Sequence, residues 1–310
     1  MKIVFMGTPQ FAVESLKVLI ENNYNIVGVI TAPDRMGGRG RNQVIESAVK
    51  KYALSQNLKI LQPKNLKNEE FQAELKSLNA DLQIVVAFRM LPVSVWDMPP
   101  LGTYNLHGSL LPAFRGAAPI NWAIITGAKK TGVTTFKLKH KIDTGDVAYT
   151  SEVEISDSDT AGTLHDKLMY VGSELVLKTV QNIENGSLTL TAQNDVEASH
   201  APKIFHDNCE IDFTKDVFEV YNHVRGLSPY PLAWMTLLGK KLKVIFGNPI
   251  PDMHDHETGK VITDYKSFIH ITCKGGYLEL TDVQHEGKKR MNIKDFLNGM
   301  GSKMKTELHQ

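Results

Sequence analysis

Cysteine is scarce in this chain of 310 residues. Only Cys209 and Cys273 are present, and they stand far apart. Two isolated cysteines cannot form a disulfide framework, and they are not paired with each other at the spacing of a zinc site. We therefore expect a protein of a reducing compartment that holds no metal.

Long hydrophobic runs and a large charge of one sign are also missing. No apolar stretch approaches the roughly 18 residues of a membrane-spanning helix, and the apolar run at 3–6 is too short for the core of a signal peptide. The formal net charge is +1, so a nucleic-acid partner would have to bind local basic patches. We expect a cytoplasmic protein without membrane contact, and a monomer as the default state.

The first predicted elements follow the order strand, helix, strand. An apolar strand at 2–6 precedes an amphipathic helix at 11–21 and a second strand at 25–31. This order predicts an α/β fold with a Rossmann-like, doubly wound parallel sheet. The first turn, Gly7-Thr8-Pro9, lacks Gly-x-Gly-x-x-Gly and so disfavours a dinucleotide there. The patterns that follow predict helices at 44–54, 69–78, 118–126 and 160–185 and strands at 59–61, 82–87, 131–138 and 147–155.

Periodicity is lost after residue 192 and returns near residue 208. We predict a catalytic domain at 1–192, a linker at 193–207 and a C-terminal domain at 208–310. In the C-terminal domain a helix at 218–224 precedes five short strands at 233–238, 241–246, 259–264, 268–272 and 277–283. Five evenly spaced strands are typical of a small OB-like β-barrel.

Candidate catalytic residues lie near the middle of the chain. Asn105 and His107 stand two apart at a predicted strand end, and strand side chains two apart point the same way. A strand ending at Asp143 beside theirs would bring its carboxylate within hydrogen-bond reach of the imidazole. These groups suit attack on a carbonyl, because an amide and a protonated imidazole can donate hydrogen bonds to the developing oxyanion.

Spacing alone leaves other interpretations open. Asn-x-His is commonly no more than a polar strand end. Ser109 suggests a serine hydrolase as an alternative, although no Gly-x-Ser-x-Gly turn surrounds it. His107, Asp143 and Asp146 could be metal ligands, although their spacing is unlike that of zinc sites.

A longer motif surrounds these residues. The run Asn-x-His-x-Ser-Leu-Leu-Pro-x-x-Arg-Gly-Ala-Ala-Pro at 105–119 is followed by Thr131-Gly132-Val133-Thr134 and Asp143-Thr144-Gly145-Asp146. This combination closely resembles the folate-dependent formyltransferases, and within them the members that formylate methionyl initiator tRNA. The resemblance extends from Phe5-Met6-Gly7-Thr8-Pro9 to Phe296-Leu297-Asn298-Gly299, which is nearly the whole chain.

The resemblance implies an activity and a catalytic trio. The implied reaction moves the formyl group of 10-formyltetrahydrofolate, a co-substrate, to the α-amino group of methionyl initiator tRNA, giving N-formylmethionyl-tRNA for translation initiation. No metal is implied. By the same resemblance, Asn105 and His107 stabilise the tetrahedral oxyanion, while Asp143 keeps His107 protonated and helps to relay the proton.

The resemblance also implies a folate pocket. Its expected residues are Phe88, Arg89, Met90, Leu91, Ser109, Leu110, Leu111, Pro112 and Ile142. Many relatives carry Tyr-Gly where Phe88-Arg89 stands here, which leaves the role of the Arg89 side chain open. Relatives also usually have Gly in place of Leu232.

Two regions are candidates for contact with tRNA. The glycine-rich loop at 32–41 carries Arg35, Arg39 and Arg41, and by composition alone it would be a solvated surface loop. The resemblance implies that it contacts the tRNA acceptor end and that the C-terminal barrel helps to hold the tRNA. Lys240, Lys241 and Lys288 are the expected contacts on the barrel, where the basic clusters could equally be a solvated strand rim.

Three rival functions remain. A formyltransferase could act on a small amine such as a sugar nucleotide or glycinamide ribonucleotide, although such an acceptor would not need the arginine-rich loop and the barrel. A tRNA-binding protein without catalysis would not need the trio. A hydrolase that releases formate would replace the amine with water.

Overall fold

The computed structural model describes residues 1–37 and 43–307. By their internal contacts the residues group into two units. Unit 1 comprises Met1–Gly116, Thr131–Glu154 and His165–His200, and unit 2 comprises Ala117–Lys130, Ile155–Leu164 and Ala201–Gln310. The domain boundaries expected at 192 and 207 stay a prediction.

In the described part of the chain the α-helices are α1 Phe11–Glu21, α2 Ala48–Ser55, α3 Glu69–Ser77, α4 Val93–Trp96, α5 Pro119–Ile125, α6 Ala161–Glu184, α7 Val217–Leu227 and α8 Ile293–Glu307. The strands of the N-terminal half are β1 Lys2–Gly7, β2 Asn25–Ile30, β3 Arg35–Gly37, β4 Gln43–Ile45, β5 Ile60–Leu61, β6 Leu82–Val86, β7 Thr103–His107, β8 Arg115–Gly116, β9 Lys130–Lys137 and β10 Val147–Glu154. Those that follow are β11 His200–Ala201, β12 Ala233–Leu237, β13 Lys240–Pro251, β14 Val261–Thr263, β15 Ile269–Cys273, β16 Gly276–His285 and β17 Met291–Asn292. Short 3-10 helices cover Asp195–Glu197 and His206–Cys209.

A seven-stranded sheet forms the centre of unit 1, in the order β10-β9-β7-β6-β1-β2-β5. From β5 to β7 neighbouring strands are parallel, whereas β9 runs antiparallel to β7. The predicted Rossmann-like sheet is confirmed, with the addition that it is mixed. The strand order reverses beside β1, so the carboxyl ends of β1, β6 and β7 meet at one edge, where sheets of this kind bind ligands.

The central strands of this sheet are almost wholly apolar. In β1 the side chains from Ile3 to Met6 are fully buried, as expected for parallel strands covered on both faces. On one face, Val4 and Met6 pack in a cluster with α3 residues Phe71 and Leu75 and with Leu91. Burial of each such side chain contributes about 1.5 to 3 kcal/mol to the free energy of unfolding. This packing holds in place the strand ends that carry the candidate site.

The prediction of a single helix at 44–54 is wrong at its start. β3 pairs antiparallel with β4, with Met36 opposite Val44, and α2 begins only at Ala48. Two neighbouring β-branched residues in β4 favour the extended conformation. The Ser47 hydroxyl accepts a hydrogen bond from the backbone N–H of Lys50 at 3.0 Å and so caps α2.

Unit 2 contains an antiparallel sheet in the order β12-β13-β16-β15-β14, with β17 paired to β16. The twelve-residue β13 pairs with β12 and β16, and its register shifts twice between Val244 and Gly247. Such bulges bend a strand, and the sheet curls into a half-barrel. The predicted OB-like fold and its five strands are confirmed. Leu232, just before β12, has a φ of 79°, in the left-handed region that favours glycine.

Helix α8 is absent from the predictions. Phe296, Leu297 and Met304 of α8 are buried in the core of unit 2, while two interior glycines weaken its helical signal. Within residues 1–37 and 43–307, no helix combines the length and the apolar character needed to cross a bilayer.

Candidate active site

Strand β7 carries Asn105 and His107 at the ligand-binding edge of the sheet. Asn105 lies between Val85 of β6 and Phe136 of β9, and His107, the last residue of β7, lies opposite Thr134. Because side chains alternate along a strand, Asn105 and His107 occupy the same face of the sheet.

The His107 ring is 6% exposed and has a polar group at each nitrogen. Its Nε2 lies 2.9 Å from the carbonyl oxygen of Phe114, and its Nδ1 lies 3.8 Å from Oδ2 of Asp143. A carbonyl only accepts hydrogen bonds, so Nε2 carries a hydrogen and donates it. Nδ1 is therefore the nitrogen that can gain or lose the second proton, and it faces a carboxylate.

Asp143 lies in the loop between β9 and β10. Its φ of 54° is left-handed, and its Oδ2 accepts a hydrogen bond from the backbone N–H of Gly116 at 2.9 Å. The carboxylate is thus fixed by the chain that follows the Asn105 strand, and this contact turns it towards the imidazole. The three candidate catalytic residues lie within one unit, and their catalytic roles stay predictions.

The Asn105 carboxamide is half-buried. Among the residues that the structure describes, it has no side-chain hydrogen-bond partner. A carboxamide can donate two hydrogen bonds and accept others. Both N–H groups of Asn105 are therefore available to a substrate oxygen.

The loop after β7 is fixed by buried hydroxyl groups. Ser109 is fully buried, and its Oγ donates to the carbonyl of Ala113 at 2.6 Å. Thr134 Oγ1 donates to the carbonyl of Ser109 at 2.7 Å and accepts from the N–H of Leu111 at 3.0 Å. A serine whose proton is engaged on a backbone carbonyl is poorly suited to act as a nucleophile, so this geometry disfavours the serine hydrolase interpretation.

The residues expected to bind folate follow the carboxyl ends of β6 and β7. Met90 is 77% exposed and Ile142 is 63% exposed, whereas Leu91 and Leu111 are buried. Phe88, Leu110 and Pro112 are partly buried. Exposed apolar side chains beside a polar cluster are common where a ligand binds. The folate contacts of these residues stay predictions.

Arg89 uses its side chain within the protein. Its Nη1 donates to the carbonyl of Lys64 at 2.8 Å, and its Nη2 donates to the carbonyl of Pro63. The guanidinium also lies 5.6 Å from the centroid of the Phe88 ring. Partial burial lowers the pKa of Arg89. Arg89 therefore connects the loop after β6 to the segment at 63–64.

Of the candidate tRNA residues of unit 1, Arg35 lies on the β3–β4 hairpin. Arg35 is exposed on β3, next to the apolar side chains of Met36, Val44 and Ile45, which are each more than half exposed. Arg39 and Arg41 lie outside the described residues.

On unit 2, Lys241 takes part in a cluster of cations and rings. Its Nζ lies 3.9 Å from the centroid of the Trp234 ring and donates to Nε2 of His206 at 2.6 Å. The His206 and Trp234 rings are stacked with centroids 5.1 Å apart. We call Lys241, Trp234 and His206 the cation–ring cluster. Lys240 and Lys288 are exposed.

The sequence-based site omitted Gln193, which contacts the Asp143 loop, and Arg115, which contacts Gln193. Gln193 Nε2 donates to the carbonyls of Asp143 and Gly145, and Gln193 Oε1 accepts from Arg115. Arg115 belongs to the quoted motif, but Gln193 lies in a segment without periodicity. Within the described ranges, no three His, Cys, Asp or Glu residues are grouped to hold a metal ion.

Comparisons with known proteins agree with this geometry. A family model described as formyl transferase matches residues 1–180, and one described as formyl transferase, C-terminal domain, matches residues 203–301. A protein of Parabacteroides distasonis named methionyl-tRNA formyltransferase is 52% identical, with 96% of this chain and 95% of the relative covered. A protein of the same name from Flavobacterium johnsoniae is also 52% identical, with 97% and 96% covered.

Among solved structures, an N-formyltransferase from Helicobacter canadensis, in complex with folinic acid and dTDP-3-aminofucose, superposes with a TM-score of 0.69. It is 22% identical to this chain, and the match covers 92% of this chain and 99% of that protein. At that identity the match shows the fold alone. The resemblance inferred from the sequence motifs and the predicted class of one-carbon transferase are confirmed, and the chain belongs to the formyl transferase family.

Proposed function

We propose that this protein transfers the formyl group of 10-formyltetrahydrofolate to the α-amino group of methionyl initiator tRNA. The observation that carries the proposal is identity of about one half, over nearly the full length, to relatives named methionyl-tRNA formyltransferase. The product, N-formylmethionyl-tRNA, serves translation initiation. The alternative is formylation of a small amine. The solved structure that favours it, the N-formyltransferase in complex with dTDP-3-aminofucose, is only 22% identical to this chain.

The chemistry begins with attack of the methionyl amine on the formyl carbon. The carbonyl π electrons move to oxygen and give a tetrahedral oxyanion. The uncommitted carboxamide of Asn105 supports a role as one donor to that oxygen. We assign the second donation to the Nε2 hydrogen of His107, which has to exchange the Phe114 carbonyl for the oxyanion when the substrates bind. Collapse of the intermediate breaks the bond from carbon to the folate nitrogen, which receives the proton that the amine loses.

Asp143 supports these reaction steps through its charge. Its carboxylate lies 3.8 Å from His107 Nδ1 and can offset the positive charge of a ring that is protonated while the intermediate forms. The Nε2 hydrogen of that ring, released from the Phe114 carbonyl, can then pass towards the leaving folate nitrogen. Asn105, His107 and Asp143 thus act as oxyanion donor, acid and charge partner, respectively.

The folate is expected to lie against the loop after β6 and the loop after β7. The exposed Met90 and Ile142 provide apolar area that a ring could cover. The related fold solved with folinic acid, a folate derivative, supports a folate co-substrate. Since Arg89 is engaged with the carbonyls at 63–64, we assign the recognition to backbone groups and apolar side chains.

For tRNA we propose two contact regions. On the β3–β4 hairpin, Arg35 beside exposed apolar side chains can pair with phosphate and contact unstacked bases. Arg39 and Arg41 are proposed to extend this region. On unit 2, the cation–ring cluster combines a cation with ring faces, and exposed Lys240 and Lys288 add charge. We propose that the protein acts as a monomer in the cytoplasm.

The deciding experiment offers separate acceptors to the protein with 10-formyltetrahydrofolate. These acceptors are methionyl initiator tRNA, uncharged initiator tRNA, glycinamide ribonucleotide, a dTDP-amino sugar and water alone. We expect formylmethionyl-tRNA as the dominant product. Dominant formylation of a small amine, or release of formate, would overturn the proposal.

A salt titration tests the tRNA surface on unit 2. Replacing Lys241 by Ala should weaken tRNA binding and lower the slope of log K against log salt by about one phosphate contact, or about 0.9. Lys67→Ala, which removes an exposed lysine of unit 1, is the matched control and should leave the slope unchanged. Equal slopes in all three proteins would show that Lys241 does not contact the tRNA.

The double variant with Arg39→Glu and Arg41→Glu should impair use of tRNA far more than folate binding.

A further inference from the structure

The Asp143 loop is held by a carboxamide that belongs to a distant part of the chain. Gln193 Nε2 donates to the carbonyl of Asp143 at 3.0 Å and to the carbonyl of Gly145 at 2.7 Å. Gln193 Oε1 accepts from Nε and Nη2 of Arg115 at 3.1 and 2.7 Å. Both hydrogens and the oxygen of the carboxamide are thereby engaged, which leaves it a single orientation.

The segment that carries Gln193 is itself fixed. Two residues earlier, Thr191 exchanges both backbone hydrogen bonds with Val147, at 2.8 and 2.9 Å. Val147 is the first residue of β10, the strand that follows the Asp143 loop in the chain. Gln193 is therefore anchored to the sheet and does not simply follow the loop that it contacts.

The opposite side of the loop packs directly on the backbone. A Cβ added to Gly145 would lie 1.7 Å from the carbonyl oxygen of Lys137, so the loop and the end of β9 are in close contact. The backbone N–H of Lys137 also donates to the carbonyl of Asp146 at 2.9 Å. The loop is thus fixed between the end of β9 and Gln193, and the Asp143 carboxylate has little room to shift.

Arg115 strengthens this arrangement. Its side chain is 9% exposed, and its positive charge lies against the carboxamide oxygen. A cation at the oxygen polarises the amide and makes its N–H groups stronger donors. Arg115 Nη2 also donates to Asp195 Oδ1 at 2.7 Å, but the Asp195 side chain is 78% exposed and does not contact the loop.

We propose that Gln193, oriented by Arg115, is a positioning residue for formyl transfer: it holds the backbone at 143–145 so that the Asp143 carboxylate faces His107. This proposal rests on the proposed function for its kinetic readout and deepens the account of the same site. Gln193 acts through Asp143 and does not touch the substrates. Its effect is therefore on turnover and not on binding.

Two substitutions separate positioning from simple packing. Gln193→Met keeps the length and volume of the side chain but removes every hydrogen bond. Gln193→Glu keeps and strengthens the partner of Arg115, but it turns a carboxylate towards the two loop carbonyls. We expect both variants to lose about 10- to 100-fold in kcat, as for a displaced catalytic group, while KM for folate and for tRNA stays within about twofold.

Asp195→Asn is the matched control. It removes the carboxylate that pairs with Arg115 while the contacts of Gln193 with the loop remain. We expect kcat and KM of this variant to equal those of the wild type. Wild-type turnover in Gln193→Glu would overturn the proposal, because pairing with Arg115 would then suffice without donation to the loop.

A measurement independent of the reaction uses the Gly116 amide, whose N–H donates to Asp143 Oδ2. Hydrogen exchange at Gly116 should be about tenfold faster in both Gln193 variants and unchanged in Asp195→Asn, since protection follows local opening. Unchanged exchange in the Gln193 variants would overturn the proposal. If the wild type formylated no amine while exchange changed as expected, the proposed function would fail but the positioning of Asp143 would stand.

Discussion

Nδ1 of His107 lies 3.8 Å from Oδ2 of Asp143, beyond the length of a direct hydrogen bond. At this distance an attraction between the carboxylate and the ring would be electrostatic, and the two side chains are only 7% and 14% exposed. Low exposure weakens screening by water, so the carboxylate would interact more strongly with a protonated ring here than at the surface. The hydrogen bond from Gly116 keeps the carboxylate in place.

Asp143→Asn tests the charge. The variant keeps an oxygen that can accept from the Gly116 N–H but removes the partner of protonated His107. We expect kcat to fall by about 10²-fold or more, the range of an acid–base contribution, with folate and tRNA affinity nearly unchanged. Steady-state kinetics and equilibrium binding measure the two effects separately. Near wild-type turnover would mean that Asp143 only shapes the loop.

Asn105→Ala tests the oxyanion donor. Loss of one such donor costs roughly 3 to 4 kcal/mol in the transition state, so kcat should fall by about 10²- to 10³-fold. Because the carboxamide has no side-chain partner in the described chain, the melting temperature should change little. Asn105→Asp, which has the same shape but no N–H, should be at least as impaired. Equal losses in turnover and tRNA affinity would contradict the assignment.

How well each site residue could be predicted depends on how far apart in the sequence it and its contacts lie. Asn105 and His107 follow from the period of a strand, which is a local rule, and Asp143 follows from a motif. Gln193 could not be found in this way, because its contacts with the loop span 48 and 50 residues and begin in a segment without periodicity. No local sequence pattern at position 193 distinguishes a glutamine that contacts the loop from one that is exposed to solvent.

The same contrast applies to the fold. Helix α1 carries a strong period and the buried strands are continuous apolar runs, and both were predicted almost to the residue. The start of α2 was wrong because two apolar β-branched residues fit a helical face as well as a hairpin strand, and only pairing with β3 decides. The strand pairs of unit 2 likewise depend on tertiary contacts.

Arg89→Ala tests whether this arginine serves the fold or the folate. It removes the two hydrogen bonds to the carbonyls at 63–64. Since the residue is exposed, we expect a loss of only about 1 kcal/mol in the free energy of unfolding, with KM for folate within about twofold. Denaturant titration and kinetics measure these quantities. A large rise in KM without loss of stability would instead indicate direct contact with folate.

The two cysteines should be unreactive in the native protein. Cys273 is fully buried and Cys209 is 2% exposed. Burial raises the pKa of both thiols, that of Cys273 to about 11, and only the thiolate reacts with disulfide reagents. At pH 8 we expect no thiol titre from a chromogenic disulfide in native buffer and two thiols in guanidinium. Rapid native labelling of either cysteine would contradict the buried placement.

Asp264 should contribute to the acid stability of unit 2. Its carboxylate accepts hydrogen bonds from the backbone N–H groups of Lys266 at 2.9 Å and Ser267 at 2.7 Å, in the turn between β14 and β15. Hydrogen bonds from the Ser267 hydroxyl and these N–H groups hold the pKa of Asp264 well below its usual range. Because the folded pKa is lowered, the stabilisation is present above the unfolded pKa of about 3.9 and is lost as the pH falls through the folded value.

The measurement is the difference in melting temperature between the wild type and Asp264→Asn from pH 7 to pH 2. Asparagine keeps an acceptor oxygen for the turn but cannot ionise. The wild type should be the more stable protein above pH 4, and its advantage should shrink as the pH falls further. Asp255→Asn, at an exposed position of the same unit, is the control and should show no such trend. A difference that stays constant down to pH 2 would mean that the turn does not depend on the charge of Asp264.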